Sequence, residues 1–138
     1  LSLKCNSFNG LFSDASNSEM RFLSASEILV TANGTSKVSL YDVNAEQCQV
    51  TLTDASKINL LGKTEQLILN ASDSGNVSAN YLVAKVCVAD FSDATNGKIY
   101  VTDNLNISVS DASCVVCYGN PQNVTQNISD AGTLRFVN

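Results

Sequence analysis

The side chains able to do chemistry in this sequence are few and come in patterns. Aspartates recur in a short Ser/Thr-Asp-small motif at Asp14, Asp54, Asp73, Asp93, Asp111 and Asp130, with Gly34 at the equivalent place of a seventh copy. Stacked carboxylates could ligate a hard cation such as Ca²⁺ through oxygen. Asp54, Asp73, Asp93, Asp111 and Asp130 are therefore the candidate cation column. The nonapeptide Gly-Gly-x-Gly-x-Asp signature of calcium β-rolls is absent, so the bland reading of the column, a repeated tight turn, comes first. Carboxylates ~5 Å apart would repel unless solvated, splayed or bridged.

Five cysteines (Cys5, Cys48, Cys87, Cys114, Cys117) leave at least one unpaired. Cys114-Val-Val-Cys117 has metal or redox spacing, but extended chain holds its ends ~10 Å apart, beyond disulfide reach. No Lys, Arg or His lies nearby in sequence to lower a thiol pKa. Cys48 and Cys117 take places filled elsewhere by Val, Leu or Ala. Cys87 is assigned to the outward phase and Cys114 to a turn. All are expected to be small apolar or surface residues without a disulfide.

No His and no Trp occur, which excludes Ser-His-Asp and Cys-His catalysis and the usual zinc sites. The net charge is −5 with a pI near 4.4, which argues against a phosphate-backbone partner and hence against nucleic acid. No apolar run approaches the ~20 residues of a membrane span. Arginine is limited to Arg21 and Arg135, and the acids fall mostly in turns. A polysaccharide-degrading enzyme, which needs acids clustered with cations in a cleft, is therefore the least favoured class. Glycan binders favour exposed aromatics; Tyr41, Tyr81 and Tyr118 fall near one corner of the repeat and form a candidate surface strip. Packing at an edge would equally account for them. Glu46 and Glu65 share one repeat position and Lys37 and Lys57 another, as on a solvated face.

What must position these residues is the repeat itself. The anchors 14, 34, 54, 73, 93, 111 and 130 are 18 to 20 residues apart. Alternating apolar segments precede each anchor (Ile28-x-Val30-x-Ala32, Cys48-x-Val50-x-Leu52, Leu67-x-Leu69-x-Ala71, Leu105-x-Ile107-x-Val109). Others follow it (Val38-x-Leu40, Ile58-x-Leu60, Ile99-x-Val101, Leu134-x-Phe136). Alternation at period 2 means strands with one buried face. A third corner carries single apolar residues such as Val43 and Leu82. One such unit cannot bury its apolar face alone; stacking does. The expected fold is all-β: one domain over residues 1–138, a right-handed parallel β-helix of about seven coils. A β-sandwich is the rival, but it would not match residue types position by position as Thr31–Leu40 matches Thr51–Leu60. Asn33, Asn70, Asn76, Asn106, Asn123 and Asn127 open N-x-S/T triplets, better read as stacked amides. The final Leu134-Arg-Phe-Val-Asn138 leaves a bare stack end, which calls for a cap or a contact between copies.

The turn followed by Ser56-Lys57-Ile58-Asn59-Leu60, its copies, and the closing Tyr118-Gly119-Asn120-Pro121-Gln122-Asn123-Val124 and Ser129-Asp130-Ala131-Gly132-Thr133-Leu134 resemble the head GIN domain of auto-transporter adhesins. The resemblance covers essentially the whole chain. It departs in using Asp where the family commonly has Gly in the turn, and in lacking part of the preceding N-terminal region. It implies a parallel β-helix and a protein exported to the cell envelope, periplasm or cell surface, typically of Bacteroidetes, with no catalytic residues to carry over. The expected function is a non-catalytic, adhesin-like surface module. Its partner would be a polymer, glycan or protein, and it would need no cofactor. The alternative is a scaffolding β-helix that self-associates through its coil ends.

Overall fold

The computed structural model describes residues 2–137, and at Ser2, Leu3, Phe22 and Leu23 the backbone only. Leu1 and Asn138, the two ends of the expected domain, lie outside the described residues. Ten strands follow in order: β1 (Ser2–Lys4), β2 (Ser7–Phe12), β3 (Asn17–Ala32), β4 (Lys37–Leu52), β5 (Lys57–Ala71), β6 (Asn76–Phe91), β7 (Asn96–Val109), β8 (Cys114–Gly119), β9 (Asn123–Ile128) and β10 (Thr133–Val137). Every ladder is parallel, and each strand pairs with the one a coil away. That is a β-solenoid of about seven coils, and it removes the sandwich, whose strands would run antiparallel. No helix is present among the described residues, so none is long and apolar enough to cross a membrane.

The long strands bend at the third corner, so each contributes two faces of the coil. In-register pairing keeps like above like: Ile28, Cys48, Leu67, Cys87, Leu105 and Val124 make one inward column. Val38, Ile58, Val77, Gly97, Val115 and Leu134 make another. Inward residues of the middle coils are fully buried, each large aliphatic contributing about 1.5–3 kcal/mol. This places Cys87 inside, at 0% exposure, and corrects the outward assignment. The run Val86-Cys87-Val88 is apolar throughout, so it has no alternation to show its phase; the pairing with Leu67 and Leu105 fixes it. Cys114 is likewise corrected: it is the first, outward residue of β8, just past the turn.

All seven anchors turn the chain in the left-handed region, with φ of 53° to 59° at Asp14, Asp54, Asp73, Asp93, Asp111 and Asp130 and 67° at Gly34. Asp and Gly are the residues that enter this region at least cost. Two residues after the anchors, an inward hydroxyl column runs Ser16, Ser36, Ser56, Thr95 and Ser113, interrupted by Gly75 and ending at Gly132. Ser16 Oγ donates to Ser36 Oγ (3.2 Å), and Thr95 Oγ1 to Ser113 Oγ (3.1 Å).

The two ends differ. At the first coil the Phe8 and Phe12 rings fold over Gly10, where an added Cβ would meet them at 3.1 and 2.8 Å. They are half-buried and pack on the core. At the last coil, none of the described residues covers the inward column: all of β9 is exposed, and so is Phe136 at 45%.

Candidate functional site

The face made by the strand segments after each turn brings together most of the outward chemistry. On its outer edge the turn aspartates rise in a column. Next come Lys37, Lys57, Asn76, Asn96 and Cys114 in register, then Ser39, Asn59, Ser78, Lys98 and Val116. The third column is the tyrosine corner. Arg21 pairs with Tyr41, Leu61 with Tyr81, and Tyr100 with Tyr118, which pairs in turn with Val137. Residues 80–82 form a bulge that offsets the lower part of this corner from the upper, where Val83 pairs with Tyr100.

Tyr41, Tyr81 and Tyr118 therefore do share one corner. Tyr41 and Tyr118 are half-buried and Tyr81 is 70% exposed. Arg21 sits 4.5 Å from the Tyr41 ring centroid, a cation–π distance. Its guanidinium also pairs with Glu19 at 2.7 Å. Sequence reasoning missed Tyr100 and Leu61, which complete the strip. Their signal was available: both stand seven residues past an anchor, as Tyr41 and Tyr118 do. Between the turns and the tyrosine corner lies a shallow groove of about 570 Å³, floored by Lys57, Asn59, Ser78, Asn96 and Lys98.

Charge is unevenly spread. Five of the eight cations (Arg21, Lys37, Lys57, Lys98, Arg135) stand on these segments against one acid, Glu19; three cations face twelve acids elsewhere. The only ion pairs among the described residues are Arg21–Glu19 and Lys85–Glu65. The second lies on the column Glu46, Glu65, Lys85, and the Glu65 carboxylate beside it holds the Lys85 ammonium above its ordinary pKa.

The candidate cation column is geometrically a column, and three of its five carboxylates are individually engaged. Asp54 Oδ2 accepts from the Gly34 N–H below (3.1 Å), Asp73 Oδ2 from Ser72 Oγ (3.2 Å) and Asp111 Oδ2 from Ser110 Oγ (3.0 Å). Among the described residues no three of Cys, Asp or Glu gather where they could hold a metal. The five cysteines are free. Burial pushes the Cys48 thiol up to about 12 and the Cys117 thiol up to about 11, and raises that of Cys87 as well. Such thiols are inert as nucleophiles at neutral pH. Of the expected amide stacking, Asn123 Nδ2 donates to Asn104 Oδ1 at 2.8 Å.

A crystal structure from Parabacteroides distasonis ATCC 8503, described as a "Putative lipid binding protein", superposes with a TM-score of 0.88 at 14% identity. It matches over 96% of this chain, which spans only 56% of that neighbour. At that identity the likeness shows the fold alone. No curated protein matches the chain. The model of the family described as "Putative auto-transporter adhesin, head GIN domain" matches residues 11–121. Those residues hold six of the seven turns and the tyrosine corner from Arg21 to Tyr118, and the chain belongs to that family.

Proposed function

We propose that this chain is a non-catalytic binding module of the cell envelope that holds an extended polymer or protein segment against its tyrosine-edged face. The carrying observation is the corner that gathers Tyr41, Leu61, Tyr81, Tyr100 and Tyr118 from successive coils, with Leu61 paired to Tyr81 and Tyr100 to Tyr118 on either side of the bulge. Aromatic side chains supply large contact area at low conformational cost, with a hydroxyl left to hydrogen-bond. Membership of a family described by adhesins supports export to the cell surface or periplasm. The acids are spread over turns and strands with no three gathered together among the described residues, and the interior is packed with side chains. The reading therefore requires neither a catalytic cleft nor an internal lipid cavity.

The test is binding of the purified chain to envelope polymers and to a glycan array. The variants Tyr81→Ser and Tyr100→Ser should each lose threefold or more in affinity while the thermal midpoint moves little. Retention of full binding by the double variant would overturn the reading.

A second reading, self-association through a coil end, is favoured by one feature: the uncovered Val124, Ile128 and Phe136 of the last coil. Sedimentation equilibrium over a hundredfold concentration range separates it. Mass that rises with concentration supports it, and a constant monomer mass removes it.

A further inference from the structure

We propose that the groove between the turns and the tyrosine corner binds an acidic polysaccharide carrying about one carboxylate per two sugars, laid along the stack axis. The inference rests on the surface-binding reading above and adds the ligand's charge and direction. Its first support is charge complementarity. In a chain of net charge −5, the strand segments of this face, inside their rim of turn aspartates, carry cations in excess. Lys37, Lys57, Lys98 and Arg135 have no carboxylate partner among the described residues. Lysines left unpaired on an acidic protein keep their charge available to an anion.

The second support is spacing. Lys37 and Lys57 stand one rung apart, Lys57 and Lys98 two, and Lys98 and Arg135 two. Rungs are ~4.8 Å apart, so the later steps set cations at intervals of about 10 Å along the axis, with Lys98 and Arg135 one outward column over from Lys37 and Lys57. Nucleic acid presents its charges several-fold more densely, near one per 3.4 Å on each strand. A polymer with one acid per disaccharide presents them at about the spacing found here. A pyranose chain also advances by close to one rung per sugar. Running along the axis, each sugar therefore meets the same pair of columns as its neighbour.

The third support is the chemistry between the cations. Asn59, Ser78, Asn96 and Asn76 offer amides and hydroxyls to sugar hydroxyls. Tyr81, Tyr100 and Tyr118 stand two to three residues further along the same strand segments, beyond the groove lining, where a ring can pack on the apolar face of a pyranose. On the near side the exposed turn aspartates Asp54, Asp73 and Asp93 repel an anionic chain and direct it toward the tyrosines. A flat membrane surface would meet the rims rather than the groove floor.

The experiment is affinity electrophoresis of the full chain through gels holding hyaluronan, which has one carboxylate per disaccharide, or an uncharged hydroxyethyl cellulose. Calorimetry with a hyaluronan oligosaccharide and an oligothymidylate of equal length gives the affinities. Hyaluronan should retard the chain, and the effect should weaken as salt screens the lysines. Lys57→Gln combined with Lys98→Gln should weaken binding tenfold or more, with an unchanged thermal midpoint. Lys63→Gln, away from the groove, should leave binding as it is. Equal retardation by the uncharged polymer that Tyr100→Ser abolishes would overturn the charge assignment and leave the surface reading standing. No retardation by either polymer, or tighter binding of the oligothymidylate, would overturn the inference; the tyrosine variants on envelope material then judge the surface reading independently.

Discussion

The first three turns and the three above them carry nearly the same letters and solve the same problem in two ways. At Asp14, Gly34 and Asp54 only the anchor has positive φ, as it does again at Asp130 in the last turn. At Asp73-Ser74, Asp93-Ala94 and Asp111-Ala112 both central residues do. The hydrogen bonds between coils reverse with it. Thr35 and Ala55 donate down to Asp14 O and Gly34 O, whereas Ser74 and Ala94 donate up to Asp93 O and Asp111 O. A trans peptide points its N–H and C=O in opposite directions, so the Asp54 and Asp73 carbonyls face each other across the seam between the third and fourth coils. Both sit on exposed residues, where water can serve them. One motif thus supports two peptide orientations, and the stack tolerates the switch because it falls on the surface.

The largest test of that contrast is at Gly34. In the structure the Thr35 N–H approaches Asp14 O to 2.6 Å, and a Cβ on Gly34 would come within 2.6 Å of the same oxygen and 2.9 Å of Asp14 Cα. Gly34→Asp merely writes the residue of the other coils into this one, yet it should cost about 2–3 kcal/mol, because backbone rather than a side-chain tip must give way. The reverse change, Asp54→Gly, should cost only a few tenths, since glycine adopts the same φ. Urea midpoints of the two variants give the comparison. Equal losses would mean the lower turns are interchangeable and the close approach at Gly34 is immaterial.

Next comes the seam itself. Ser56 Oγ is fully buried and is the one buried side-chain polar atom among the described residues without a hydrogen-bond partner. Its neighbour up the hydroxyl column is Gly75. A Cβ there would find only ordinary contacts, at 3.4 Å from Ser72 O and 3.5 Å from Leu52 Cβ. Gly75→Ser restores the ladder that joins Ser16 to Ser36 and Thr95 to Ser113. It should stabilise by about 1–1.5 kcal/mol, from the satisfied hydroxyl and the lost freedom of the unfolded chain. An unchanged or lower midpoint would mean that water already fills the gap.

Much of this was legible in the sequence, for a physical reason. In a parallel stack each residue type is repeated above itself, so the fold's columns are written as a period. The anchors, the inward Val38-x-Leu40 and Ile58-x-Leu60 segments and the tyrosine corner followed from spacing alone. What was lost lies where the period is masked or where contacts cross between columns. Cys87 had no polar neighbours to reveal its phase. Tyr100 and Leu61 stand seven residues past their anchors, as Tyr41 does, but the bulge at residues 80–82 puts Tyr81 eight past its own, so the corner has no single step that marks all its members. Gly97 reads as a weak strand residue, yet a Cβ there would fall 2.5 Å from the Phe91 ring. It makes room for a ring from the neighbouring inward column, a pairing no linear pattern records. The charge imbalance of the grooved face also needed the coordinates, because its cations come from five separate coils.

The smallest effects give the sharpest test of the two turn types, because they should differ in sign. Ala94 lies at φ 65°, a conformation that costs an L-residue about 1–2 kcal/mol, and glycine is free of that cost. Against this, Ala94→Gly loosens the unfolded chain, worth about 0.4–1 kcal/mol. The net should be a gain of about 0.5–1 kcal/mol, and Ala112→Gly, at φ 65° as well, should behave alike. Ala55 occupies the same place one past the anchor, but its φ is not positive. For Ala55→Gly only the entropy remains, so the change should destabilise by about 0.5–1 kcal/mol. Both sites are exposed, so no packing difference obscures the result. If the two variants shift the thermal midpoint in the same direction, the upper and lower turns share one conformation in solution, and the reversal of hydrogen bonds at the seam between Asp54 and Asp73 does not exist.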